Sequence, residues 1–62
     1  MPVIEVKIYD RRVTPESSKR IIEEMTEALA RACDDDGVKQ HTTVLVTGVS
    51  PANWGVAGQQ MS

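Results

Sequence analysis

Pro2, Arg11, Arg12 and Trp54 are the residues whose types and spacing could do chemistry together. Pro2 directly follows Met1 in "MPVIEVKIYDRR". Proline has no backbone N–H to give a sheet, so its plain role is the first residue of an edge strand. An initiator Met before a small residue is commonly removed, and Pro2 would then carry a free secondary amine, a base and a potential nucleophile. A general base works best with a pKa near the working pH. Apolar surroundings and nearby cations both lower an amine pKa. Trp54, in the run "NWGVAG", could supply an apolar wall, and Arg11 and Arg12 a positive field. The same arginines could bind a carboxylate or stabilise developing enolate charge. Taken one at a time, each residue has a blander role: an edge-strand proline, two loop-solvating arginines, a core tryptophan. Taken together they point to an enzyme acting on a small anion.

Other catalytic templates are absent. The chain has no G-x-S-x-G, no P-loop and no H-E-x-x-H. His41 is the lone histidine, and no serine and acid are fixed beside it by spacing. Cys33 is the lone cysteine. It closes a helical stripe, where a small buried hydrophobe is the expected role, ahead of a nucleophile. One His and one Cys do not make an ordinary zinc site. Asp34, Asp35 and Asp36 are consecutive, without the interleaved ligands of a calcium loop. Neither a metal nor a cofactor is expected.

The elements that must position these residues follow from periodicity. Over Val3–Tyr9, Ile4, Val6 and Ile8 point one way and Val3, Glu5, Lys7 and Tyr9 the other, which predicts a strand with one apolar face. "DRRVT" reads as a charged loop. From Thr14 onward the pattern is helical: Thr14 suits the N-cap, Pro15 the first helical position, and Glu16 the positive end of the dipole. Ile21, Ile22, Met25, Ala28, Leu29 and Ala32 fall within an arc of about 120°, a buried stripe. Arg20 with Glu24, and Glu27 with Arg31, have the spacing of helical ion pairs on the solvated side. "DDDG" ends the helix, with Gly37 suited to the turn. "TTVLVTGV" reads as a second, interior strand, apolar on both sides at Val44, Leu45 and Val46. Pro51, Gly55 and Gly58 mark turns near the C-terminus, and Val56 could pair briefly. The prediction is one α+β domain over residues 1–62: a β-α-β unit with parallel strands and a short C-terminal hairpin segment.

Such a unit is too small to stand alone. A chain of 62 residues buries only about 60% of its unfolded surface. A two-stranded sheet with one helix leaves edges and a face uncovered. With no internal disulfide and no metal, self-association is the expected source of stability. Seven Lys/Arg against nine Asp/Glu and two aromatics leave no basic footprint for nucleic acid. No apolar run spans a membrane and no leader pattern is present, so a soluble, cytoplasmic protein is expected.

Met-Pro followed by a strand, an arginine at position 12, an amphipathic helix, a second strand and "NWGVAG" together resemble the 4-oxalocrotonate tautomerase family. The resemblance covers nearly the whole chain, and "MPVIEV" and "NWGVAG" are its most specific parts. It implies a tautomerase-like β-α-β domain assembling into four-stranded sheets in dimers and into hexamers (trimers of dimers). It also implies an isomerase that ketonises a dienol acid such as 2-hydroxymuconate without a cofactor. Pro2 matches the family's catalytic proline, Arg12 its first active-site arginine and Trp54 its pocket-walling aromatic. Arg11 replaces what is often a glycine. Thr43 stands where the type enzyme has a second, carboxylate-binding arginine supplied from a neighbouring subunit, with Lys39 and His41 nearby, and "DDDGVKQH" is a longer loop. Alternatives are a hydratase or dehalogenase of the same superfamily, or a non-catalytic subunit of a hetero-oligomer.

Overall fold

The computed structural model describes residues 1–61 and places β1 at Val3–Tyr9, α1 at Pro15–Cys33 and β2 at Thr43–Val49. A hairpin follows, with β3 at Gly55–Val56 and β4 at Gln59–Gln60. Short 3-10 turns at Asp10–Arg12, Asp36–His41 and Pro51–Asn53 join these elements. β1 and β2 pair in parallel, Val3 beside Thr43 and Tyr9 beside Val49. The fold is α+β, a β-α-β unit with parallel strands plus a C-terminal antiparallel hairpin.

Alternation along the strands sorts their side chains. Ile4, Val6 and Ile8 are half-buried, as are Val44 and Val46, while Val3, Glu5, Lys7, Thr43, Leu45 and Thr47 are exposed. The expected second apolar side of β2 comes down to Leu45, 49% exposed in the single chain.

The start of α1 is a reciprocal cap. The Ser17 backbone N–H donates to Thr14 Oγ1 at 3.0 Å, and the Thr14 N–H donates to Ser17 Oγ at 2.9 Å. Pro15 takes the first helical position, where its missing N–H costs nothing. The buried arc differs at its edges from the expected stripe. Ile21, Met25, Ala28 and Leu29 are half-buried, but Ile22 and Ala32 are exposed, and Ala30 is the one buried residue at 2% exposure among those described. Ala30 is covered because the chain folds back over it: the Asp35 N–H donates to the Ala30 carbonyl at 3.0 Å. Cys33 also departs from expectation, being exposed rather than buried, because the helix ends there and the chain turns away.

The helix stops on Asp34, not Gly37. Asp34 adopts the left-handed conformation (φ 54°), which a short polar side chain tolerates. Gly37 instead gives its N–H to Asp35 Oδ1 at 2.9 Å and joins the following 3-10 turn. The charged loops expected around residues 10–14 and 34–41 are therefore largely turns of helix. In the hairpin, Ala57 (φ 53°) and Gly58 (φ 81°) both take positive φ, the two-residue turn that matches strand twist.

The chain is open in shape. Its radius of gyration is 14.1 Å, against about 10.6 Å for a compact chain of this length. Its accessible surface is 4776 Å², where a folded monomer of 6.8 kDa exposes about 3950 Å². The excess, about 800 Å², is what one partner contributes to a standard protein interface.

Candidate active site

Arg11 and Arg12 sit in the 3-10 turn that leaves the C-terminal end of β1, and both are exposed. Two contacts fix this turn. Ser17 Oγ donates to the Arg12 carbonyl at 2.7 Å, so the cap of α1 also holds the arginine backbone. Gly48 in β2 lets the turn lie directly on the sheet. A Cβ at Gly48 would stand 3.0 Å from Asp10 Cα and 3.1 Å from Val13 Cγ2.

Trp54 reaches the same end of the sheet from the other side. Pro51–Asn53 turns the chain after β2, and the Trp54 N–H donates to the Pro51 carbonyl at 3.1 Å. The Trp54 carbonyl accepts from the Met61 N–H at 2.8 Å, which ties the hairpin to it. Its ring stacks tilted on Tyr9, centroids 4.6 Å apart, and the Arg11 guanidinium lies 5.9 Å from the Tyr9 ring centre. Lys7, Val49, Asn53, Trp54 and Gly55 line an open hollow of about 250 Å³. One end of the sheet thus gathers Arg11, Arg12 and Trp54, three of the residues singled out by sequence.

Pro2 lies at the opposite end. Its carbonyl accepts from the Thr43 N–H at 3.0 Å, so it begins the ladder as an acceptor and its missing N–H is not called on. Met1 is 94% exposed, so the packing of the chain loses nothing if it is removed. Thr43 is exposed beside Pro2, and His41 is exposed in the preceding 3-10 turn. All seven residues of β1 separate Pro2 from the arginine turn, roughly 23 Å at the rise of an extended strand. Parallel pairing with β2 does nothing to shorten that path. Within one chain, Pro2 and Arg12 do not meet.

The lysine nearest the Pro2 end is occupied. Lys39 Nζ lies 2.9 Å from Glu27 Oε2 and 3.5 Å from Asp36 Oδ1. The hydrogen bond to Glu27, helped by the Asp36 carboxylate and opposed by partial desolvation, raises its pKa above the ordinary lysine value. The pair is in full force below that ordinary value and is lost as pH climbs through the raised one. Glu27 therefore pairs with Lys39 and not with Arg31; among the described residues the Arg20–Glu24 pair is likewise not formed. No group of three or more His, Cys, Asp or Glu among these residues is arranged to hold a metal ion. Among the described residues no helix is long and apolar enough to cross a membrane.

Sequence reasoning missed Tyr9, Ser17 and Gly48 as supports of the site. Ser17 had a signal, standing three residues after the Thr14 cap. Gly48 had none, because its role depends on a turn brought over it by the fold.

A β-α-β chain with a proline at position 2 and an arginine turn at the far end of β1 fits a class of small isomerases. The family model for tautomerase enzymes matches residues 2–62, and the chain belongs to that family. No curated protein matches the chain closely enough to count as a relative.

Proposed function

We propose that this chain is a cofactor-free keto–enol tautomerase of small enol or 2-oxo acids, with Pro2 as its base once Met1 is removed. Family membership over residues 2–62 carries the reading. The position of Pro2 supports it: the carbonyl is used in pairing, while the nitrogen is not needed by the ladder. The enol O–H gives its proton to the Pro2 amine as C–O becomes C=O, and the C=C electrons take that proton back onto carbon. Arg12 holds the carboxylate and the oxygen on which negative charge develops, Arg11 adds to the field, and Trp54 walls off water.

The site is completed by a second copy. β1 has one free edge, since among the described residues the sheet consists of β1 and β2. Pro2 turns its carbonyl to β2, so by alternation Val3, Glu5, Lys7 and Tyr9 turn their backbone groups to the free edge. Two β1 edges can therefore pair antiparallel only with these residues opposite one another. A pairing centred on Val6 sets Glu5 against the partner's Lys7 and Lys7 against the partner's Glu5. Shifting it either way sets Glu5 against its own copy, or Lys7 against its own copy, and like charges directly opposite are unfavourable. The Val6-centred register brings Pro2 beside the partner's Asp10, next to the arginine turn. It makes a four-stranded sheet, and three such dimers would make a hexamer.

Intact-mass measurement paired with a tautomerisation assay tests the function. A preparation of the mass expected without Met1 should ketonise phenylenolpyruvate or 2-hydroxymuconate. Full activity in a preparation that keeps Met1 would overturn the role of Pro2, because an amide nitrogen has no basic lone pair.

A further inference from the structure

We infer that Tyr9 is a positioning residue of the shared site, one ring that joins parts from two chains; this rests on the tautomerase reading and on the pairing of β1 edges. Within its own chain the ring seats Trp54 and Arg11. Across the paired edges it covers the partner's Val3, next to the partner's Pro2. Tyr9 and Trp54 are the chain's two aromatic residues, and the fold stacks them at 4.6 Å, tilted by 57°. In that geometry aromatic pairs attract beyond the area they bury. Hydrogen bonds to Pro51 and from Met61 fix the Trp54 backbone, and the stack on Tyr9 orients its indole. The Arg11 guanidinium lies 5.9 Å from the centre of the same Tyr9 ring, within reach of a cation–π contact. Tyr9 is also the last residue of β1 and the N-cap of the arginine turn. Its backbone therefore aims the turn while its side chain holds the wall.

The contact with the partner follows from register. The pairing that sets Glu5 against the partner's Lys7 also sets Tyr9 against the partner's Val3, which directly follows the partner's Pro2. Val3 and Tyr9 share one side of β1 by alternation. Side chains directly opposed in an antiparallel pair have Cβ atoms about 4.5–5.5 Å apart, and an aromatic ring opposite a β-branched side chain is a favourable pair. Val3 is 58% exposed in the single chain, so it has surface to give to that contact. Tyr9 is half-buried and has ring surface left for it. The partner's Pro2 is thereby held in step with Trp54 and Arg11 by a packing contact one residue away. The stack and the cross-strand pair use the ring of Tyr9 and not its hydroxyl.

Trp54 is the sole tryptophan, so its emission reports the stack with no substrate present. In the processed chain Tyr9→Leu should shift that emission to the red and make it easier to quench with acrylamide. It should also lower kcat/KM for phenylenolpyruvate about 3- to 10-fold, the range of one aromatic pair. Tyr9→Phe keeps the ring and should bring both readouts back near the parent values. Val3→Ala is the second probe. Val3 and Tyr9 stand at the two ends of β1, so they meet only through a partner. At concentrations where sedimentation shows the parent oligomer, Val3→Ala should lower kcat/KM about 2- to 5-fold, with no further loss when added to Tyr9→Leu. Unmoved Trp54 emission in Tyr9→Leu, or Tyr9→Phe as impaired as Tyr9→Leu, overturns the inference and leaves the tautomerase reading intact. So does a Val3→Ala loss that simply adds to that of Tyr9→Leu. If Tyr9→Leu does not fold, kcat/KM unmoved by Val3→Ala alone overturns the inference. No turnover by a parent chain with a proven free Pro2 amine overturns the tautomerase reading, and the inference with it.

Discussion

The two ends of the β1–β2 sheet are built on opposite plans. The C-terminal end is reinforced from several directions. Ser17 holds the Arg12 carbonyl, Gly48 lets the turn seat on β2, and Tyr9 stacks on Trp54. The N-terminal end is spare: Pro2 has one backbone bond to Thr43, and Met1 stands in solvent. One end carries two arginines in a fixed turn, and the other carries a proline whose nitrogen the ladder does not use. Because the strands are parallel, the chain cannot fold these ends together. On the proposed reading the difference means that a 62-residue chain carries every part of the site and needs a second copy to assemble it.

The comparison breaks most severely at the Pro2 end. Retaining Met1, or acylating the terminus, should lower kcat/KM by about 10²–10⁴, the usual worth of a general base. Pro2→Ala on a processed chain should retain partial activity through its primary amine. Thermal unfolding should show both changes nearly neutral for stability, since Pro2 gives the ladder only its carbonyl. With the free base as the active form, kcat/KM should rise with pH through a limb between about 6 and 8. A Pro2→Ala chain that loses stability but not rate would make the residue a structural proline.

At the other end the losses should be smaller and graded. Arg12→Ala should cost about 1.5–3 kcal/mol of transition-state stabilisation, roughly 10- to 100-fold in kcat/KM. Arg11→Ala should cost less, its guanidinium being partly engaged with the Tyr9 ring. Equal and negligible effects would reduce the pair to loop solvation. Gly48→Ala separates position from charge. Its methyl meets backbone at 3.0 Å, so unfolding midpoints should register about 1–3 kcal/mol of overpacking. Steady-state kinetics should show reduced turnover with both arginines still present. An unchanged melting curve would mean that the turn does not depend on close seating over β2.

Much of this was legible in the sequence. The limits of β1, α1 and β2 follow from alternation, from the Thr14–Pro15 start and from the DDDG stop. The parts that were not legible depend on tertiary placement. Asp34 rather than Gly37 took the left-handed position because the return of the chain over Ala30 begins at that residue. Glu27 pairs with Lys39 because the 3-10 turn folds back beside α1, which helical spacing cannot anticipate. Pro2, Arg12 and Trp54 could be picked out by type, but not the fact that a whole strand separates them.

The gentlest probe addresses the edge that would join two copies. Glu5→Lys should weaken the dimer by placing lysines opposite one another, and Glu5→Lys with Lys7→Glu should restore it. Cross-strand charge pairs are worth about 0.2–1 kcal/mol each, so sedimentation should show a dissociation constant raised by roughly 2- to 30-fold and then recovered. Identical association by all three proteins would rule out the Val6-centred register.

The claim that the site is shared between chains has a direct measurement. A chain that keeps Met1 lacks the amine but has intact arginines; Arg12→Ala on a processed chain has the amine but lacks its arginine. The two are unfolded, refolded together in equal amounts, checked for mixed oligomers by native mass spectrometry and assayed. With two-fold pairing, half the dimers are mixed and one of the two sites in each is complete, so activity should recover to about a quarter of the parent enzyme. Activity no greater than the average of the two variants, with mixed oligomers present, would contradict a site built from Pro2 of one chain and Arg12 of another.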